Sequence, residues 1–137
     1  MLLATVGIVA FRPQGWFQQG FPAAASKAVG LAASRDRSLG IFSDVRYADW
    51  LLWEHPELGR RVAYDARFEL LSPKQLLSLY LWQNQITGHW QDAARGDRLI
   101  VVDRRSDRQP EGELMKQAGT RRLYQDSDIA VLLRPND

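Results

Sequence analysis

Apolar residues along the chain recur at two different spacings, one typical of helices and one typical of strands. Helical spacing marks four segments, and the predicted helices are Ala23–Ser34, Tyr47–His55, a segment that starts at Pro73, and Pro110–Gly119. Short apolar runs or strict alternation mark the other segments, and the predicted strands are Leu39–Asp44, Val62–Leu70, Arg98–Arg105 and a hairpin with its turn at Gln125–Asp128. Local signals support these bounds: Ser72 suits an N-cap, Pro56 ends a helix, and Gly119 suits a C-terminal stop.

Helices and strands therefore alternate along most of the chain. Such alternation predicts an α/β fold, namely a three-layer sandwich with a mostly parallel sheet and an antiparallel C-terminal hairpin at the edge. The length of 137 residues suits one domain, which we place at residues 22–137. Residues 1–21 are predicted to be a membrane-helix remnant, or a first strand, followed by a linker.

The N-terminal stretch Leu2–Phe11 allows two interpretations. It is ten residues without a charge, about half of what spans a bilayer, so it is either a buried strand or the end of a longer membrane helix. A signal peptide fits poorly because the stretch lacks a basic leader. Arg12–Pro22, with two Pro and two Gly, predicts a linker.

Composition excludes several classes of function. The chain has no cysteine, which excludes disulfides, a thiol nucleophile and Cys-based metal sites. A net charge of +2 gives no strong field for nucleic acid, and we expect no nucleic-acid partner. His55 and His89 lack metal-ligand spacing, and the sequence has no phosphate-binding loop, nucleophile elbow or zinc-protease motif. We therefore expect no cofactor, no metal and no catalytic residue within this chain.

Polar side chains at predicted strand ends are candidates for ligand binding. Asp44 ends one strand and Asp103 another, and ligands in α/β sheets bind beyond such ends. Asp65 and Arg67 share one face of the predicted strand Val62–Leu70. Together with Asp44 and Asp103 they could converge to bind a cation or a polar ligand. The alternative is structural: Asp44 caps the following helix, and Arg67 forms an ion pair with Asp65 or another carboxylate.

The helix Tyr47–His55 carries more apolar surface than one packing face needs. Leu51 and Leu52 lie on one stripe, whereas Trp50 and Trp53 lie on its flank. One interpretation is that these side chains pack into the core. The alternative is that they form an aromatic platform that binds a sugar.

The stretch YADWLLWEHPELGRRVAYDARFELL, residues 47–71, resembles the soluble C-terminal domain of multi-spanning bacterial membrane proteins related to dolichyl-phosphate-mannose type (C superfamily) glycosyltransferases. In that family a helix with the pattern W-x-x-Y/W-L-L-W precedes a strand with D-G-R or D-A-R. The corresponding residues are Tyr47, Asp49, Trp50, Leu51, Leu52, Trp53, Asp65, Ala66 and Arg67. The resemblance extends from about Phe21 to Leu133, and Ala66 stands where Gly is commoner.

This resemblance implies a membrane-tethered domain on the extracytoplasmic side, periplasmic or at the cell surface. Its partner would be the membrane portion of its own parent chain, with a lipid-linked sugar or a protein acceptor as a further partner. The catalytic groups of that family lie in the membrane portion, which implies a non-catalytic accessory role for this domain. The alternative is a free-standing soluble α/β enzyme or small-ligand-binding protein, cytoplasmic if the chain is full length, that uses the strand-end carboxylates.

Overall fold

The computed structural model describes residues 20–65, 67–86, 88–105 and 110–135. The described residues form four α-helices: α1 (Ala23–Arg35), α2 (Val45–Glu54), α3 (Pro73–Asn84) and α4 (Pro110–Met115). They also form four strands: β1 (Ile41–Ser43), β2 (Leu99–Asp103), β3 (Arg121–Gln125) and β4 (Ile129–Leu133). None of the helices in this part of the chain is long and apolar enough to cross a membrane. The predictions for Leu2–Phe11 fall outside the described residues.

The four strands form one mixed sheet with the order β1-β2-β4-β3. β1 pairs with β2 in parallel, whereas the β2–β4 and β4–β3 pairs are antiparallel. The mixed α/β fold and the C-terminal hairpin are therefore confirmed, but the prediction of a mostly parallel sheet is wrong. A connection as short as Asp126–Asp128 joins only antiparallel strands, which accounts for the β3–β4 pair. The prediction fails at the other pair, because β4 also lies antiparallel to the central strand β2.

The two central strands are buried on both faces. Every residue of Leu99–Val102 and Ile129–Leu132 is buried, which explains why both segments are continuously apolar. Alternate residues of these strands belong to two apolar clusters. The first cluster includes Leu99, Val101 and Val131 with residues of α1 and α2. The second includes Ile100, Val102, Ala130 and Leu132 with residues of α3 and α4.

The helix ends follow the local signals in the sequence. At α3, Ser72 is the N-cap: its Oγ accepts from the Gln75 backbone N–H at 3.3 Å, and its own N–H donates to Gln75 Oε1 at 2.9 Å. This capping box satisfies two N–H groups that would otherwise lack partners. α2 begins at Val45, two residues earlier than predicted, and ends before Pro56 as expected.

The predicted strand Val62–Leu70 is wrong. Val62 forms an isolated parallel bridge with Ile41, and Phe68–Leu70 is a 3₁₀ turn. The physical reason is a competing local hydrogen bond: Asp65 Oδ1 accepts from the Arg67 backbone N–H at 2.9 Å, which turns the chain away from the sheet. Ala66 itself is outside the described residues.

Arg61 holds the loop between α1 and β1. Its guanidinium donates to three backbone carbonyls, those of Ala33 (3.0 Å), Asp36 (2.7 Å) and Leu39 (3.0 Å). Carbonyls at the end of a helix lack intrahelical partners, so an arginine that reaches them completes the helix terminus. One side chain therefore stabilises the end of α1 and the approach to β1.

Arg61→Ala should lower the free energy of unfolding by about 2 kcal/mol, because part-buried carbonyls lose a charged donor. The matched control is Arg60→Ala, since Arg60 is the exposed neighbour and its loss should change stability very little. Urea unfolding followed by circular dichroism measures both variants. Equal effects of the two substitutions would contradict the role assigned to Arg61.

Candidate functional site

The carboxyl ends of β1 and β2 form one wall of a cleft of about 240 Å³. Because these two strands are parallel, Asp44 after β1 and Asp103 at the end of β2 meet at the same edge of the sheet. The cleft is lined by these two carboxylates together with Arg46, Trp82, Gln83 and Gln85. The structure thus brings together two of the candidate residues that the sequence indicated.

Asp44 links three elements through its carboxylate. Oδ1 accepts a hydrogen bond from Trp82 Nε1 on α3 at 2.6 Å, and Oδ2 accepts one from the backbone N–H of Asp103 at 2.6 Å. Asp44 is the N-cap residue of α2, but its side chain makes no capping hydrogen bond. The expected position of Asp44 as the cap of this helix is therefore confirmed, but its carboxylate bonds to β2 and α3 instead of to the helix.

The environment of Asp44 favours its protonated form. Burial raises the pKa of Asp44 to about 6, and the negative charge of Asp103 contributes in the same direction. The hydrogen bonds from the Asp103 backbone and from Trp82 oppose this rise without cancelling it. Asp44 is consequently a buried carboxyl group beside a cleft, with a pKa well above the usual range of an aspartate.

Asp103 is held by the arginine two residues after it. Its Oδ1 accepts from the Arg105 backbone N–H at 3.0 Å and from Arg105 Nε at 3.3 Å. This side-chain hydrogen bond raises the pKa of Arg105. The Arg46 guanidinium lies over the Phe21 ring at 5.3 Å and over the Tyr47 ring at 5.8 Å, which positions its charge by cation–π contacts.

Asp65 and Arg67 do not line this cleft. They form an ion pair with each other, in which Arg67 Nε lies 2.8 Å from Asp65 Oδ2, so the predicted pairing of Arg67 is confirmed. The side-chain hydrogen bond from Arg67 lowers the pKa of Asp65. Because the Arg67 side chain is largely exposed, this pair is a local turn feature and contributes little to the core.

The two tryptophans of α2 have different surroundings. The Trp50 ring lies 5.6 Å from the Phe21 ring and 6.0 Å from the Tyr47 ring, so it packs beside the first apolar cluster. Trp53 is 82% exposed. Trp50 therefore takes part in core packing while Trp53 is exposed, and a platform for a sugar stays a prediction.

Sequence reasoning indicated none of the cleft residues Arg46, Trp82, Gln83 and Gln85, and two of these are informative. Trp82 is buried, and the signal that could have found it is an indole N–H on the apolar side of a helix, which needs an acceptor nearby. Gln85 ends α3 in the left-handed conformation with φ 48°. That conformation usually selects Gly or Asn, so no residue type at this position predicted it.

The raised pKa of Asp44 predicts a pH-dependent stability. An acid whose folded pKa lies above its unfolded value stabilises the fold below about pH 4 and loses that contribution as pH rises through 6. Asp44→Asn removes this titration. The free energy of unfolding of the variant, relative to that of the wild type, should therefore rise between pH 4 and pH 7. The rise is at most about 3 kcal/mol, because each pKa unit corresponds to about 1.4 kcal/mol. Urea unfolding of both proteins at each pH, read by Trp fluorescence, measures the difference. If the difference in unfolding free energy between the variant and the wild type were the same at pH 4 and at pH 7, the prediction would be wrong.

Comparison with known proteins gives no further information about the cleft. No protein-family model, no curated protein and no solved structure matches the sequence. Within the described ranges, no group of three or more His, Asp or Glu side chains could hold a metal ion. The cleft is therefore a site built from two carboxylates, one guanidinium, one indole and two amides.

Proposed function

We propose that the chain is a non-catalytic, extracytoplasmic accessory domain of a membrane glycosyltransferase-like protein. The proposal rests on the position at which the chain enters the domain. Gly20 lies at the edge of the sheet that holds the cleft: a Cβ at Gly20 would be 2.8 Å from the Arg46 guanidinium and 3.6 Å from that of Arg105. Residues 1–19, which include the apolar stretch Leu2–Phe11, thus connect to the domain beside the cleft.

Phe21, the residue after Gly20, contacts α2. Phe21 packs edge-on against Tyr47 at 5.9 Å and against Trp50 at 5.6 Å. These two aromatic residues belong to the stretch that carries the resemblance to the glycosyltransferase-related family. If Leu2–Phe11 is the end of a membrane helix, Phe21, Arg46 and the cleft all face the membrane portion of the parent chain.

The chemistry of the cleft supports binding in preference to catalysis. Asp44 uses both carboxylate oxygens for hydrogen bonds within the fold, and Asp103 is engaged by Arg105. In the three-layer arrangement that we propose for the domain, Arg46 and Gln85 at this edge are suited to hold a polar or anionic part of an acceptor or of a lipid-linked sugar. The reaction itself would then belong to the membrane portion.

A second candidate function has a specific observation in its favour. Asp44 and Asp103 do converge on one cleft, as a free-standing small-ligand-binding protein with strand-end carboxylates requires. Asp65 does not line that cleft and is paired with Arg67, so the full set expected for such a protein is not assembled. We therefore rank this function second.

Reporter fusions after Asp137 of the whole parent chain test the location. Alkaline phosphatase needs disulfides that form outside the cytoplasm, so its fusion should be active, whereas a green fluorescent protein fusion should be dark. A bright fluorescent fusion with inactive phosphatase would contradict the proposal and support the second candidate.

The absence of cysteine from this sequence allows a sharper test of orientation. Arg46→Cys marks the cleft edge, and Arg37→Cys marks the loop before the amino end of β1, at the opposite edge. With a fluorophore on each cysteine in the membrane-inserted parent chain, nitroxide-labelled lipid headgroups should quench the label at position 46 more strongly. Equal quenching, or stronger quenching at position 37, would show that the cleft does not face the bilayer.

A further inference from the structure

A second cleft of about 340 Å³ lies between α1 and the edge strand β3, and the function proposed above does not use it. Its floor is apolar and formed by Leu31, Ala32, Leu39, Leu123 and Leu133. Leu31 is 48% exposed and Leu123 is 37% exposed, and both line the cleft. The protein therefore leaves uncovered an apolar surface that a ligand could bury.

An irregularity in β3 shapes this cleft. Arg121 pairs with Leu133 and Arg122 with Leu132, but Tyr124 then pairs with Val131, so Leu123 is an extra residue in the ladder. Such a bulge redirects side chains relative to strict alternation. As a result Leu123 lines the cleft while Tyr124 packs against the first apolar cluster, on the same side of the sheet.

Three guanidinium groups stand around this apolar floor, those of Arg35, Arg98 and Arg121. The only carboxylate among the residues that line the cleft is Asp36, and its Oδ2 accepts from Arg98 at 2.9 Å. Among the described residues, Arg35 and Arg121 form no ion pair, and Arg98 Nε is a buried donor without an acceptor. The cleft thus has an excess of positive charge and of hydrogen-bond donors.

We propose that this cleft binds a single-chain anionic amphiphile of the fatty-acid class. The carboxylate would accept hydrogen bonds from Arg121 and Arg35 at the rim, and the alkyl chain would cover Leu31 and Leu123. A guanidinium matches a carboxylate in a paired, charge-assisted geometry, and the apolar floor excludes small hydrophilic anions as the preferred ligands. A volume of about 340 Å³ is at the lower end for small-molecule sites, which suits one short chain.

The test is isothermal titration of the 137-residue chain with sodium decanoate below its micelle concentration. Decanoate should bind more tightly than octanoate by about fifteenfold, because it has two more methylenes and each buried methylene adds roughly fourfold. Decyltrimethylammonium has the same chain with a positive head and should not bind measurably. Equal affinities for these two ten-carbon amphiphiles would overturn the proposal, since only apolar contact would then be at work.

Two adjacent arginines provide a matched pair of variants. Arg121 lies on the face of β3 that lines the cleft, whereas Arg122 lies on the other face, 2.7 Å from Glu111. Arg121→Gln should weaken decanoate binding about tenfold, and Arg122→Gln should leave it unchanged. Loss of binding in both variants, or in neither, would overturn the assignment of the carboxylate site.

The apolar floor has its own pair of variants. Leu31→Gln places an amide in the cleft and should abolish the advantage of decanoate over octanoate, whereas Leu77→Gln changes a similarly exposed leucine on α3 and should not. If the wild type binds no decanoate, and Leu31→Gln instead breaks up a dimer, the cleft holds a second copy of the chain and the proposal is wrong.

Discussion

The antiparallel pairing of β2 with β4 is the constraint on which the rest of the structure depends. The residues Leu99–Val102 and Ile129–Leu132 are buried on both faces, so their side chains must be apolar and their backbone groups must find partners within the sheet. Helices must then cover each face, and the two apolar clusters show that they do. The position of β1 follows from the same constraint, because the only free edge of β2 is the one that β1 occupies.

The two outer strands solve the problem of an exposed sheet edge in different ways. Beyond β1, the chain from Arg61 to Ala63 supplies backbone hydrogen bonds to Ile41 at 2.8 and 2.9 Å, so that edge is partly covered without a full strand. On the opposite side β3 keeps its edge but carries charged residues and a bulge, both of which discourage pairing with another sheet. The second cleft, between α1 and β3, lies at this uncovered edge.

Sequence reasoning predicted the elements that local rules determine. The apolar runs of β2 and β4, the proline and serine at the start of α3, and the hairpin turn are recognisable from residues close in the chain. The parallel fraction of the sheet was overestimated because strand order depends on which hydrophobic surfaces meet, and alternation of elements does not encode that. The strand Val62–Leu70 was mispredicted because its alternating pattern is overridden by one aspartate hydrogen bond.

The candidate site was predictable only in part, for a related reason. Asp44 and Asp103 could be placed together because parallel strands end at the same edge of a sheet. The indole of Trp82 could not, since it reaches Asp44 from a helix 38 residues further along the chain. Asp65 was expected at the same edge on the strength of a strand that does not form.

The guanidinium of Arg61 also restricts how this protein can vary. Surface loops ordinarily tolerate insertions and deletions at low cost. The connection between α1 and β1 differs, because the carbonyls of Ala33, Asp36 and Leu39 must all stay within reach of one planar group. Adding or removing a residue there would displace at least one acceptor, so evolution should preserve the length of this loop while the loops elsewhere lengthen and shorten.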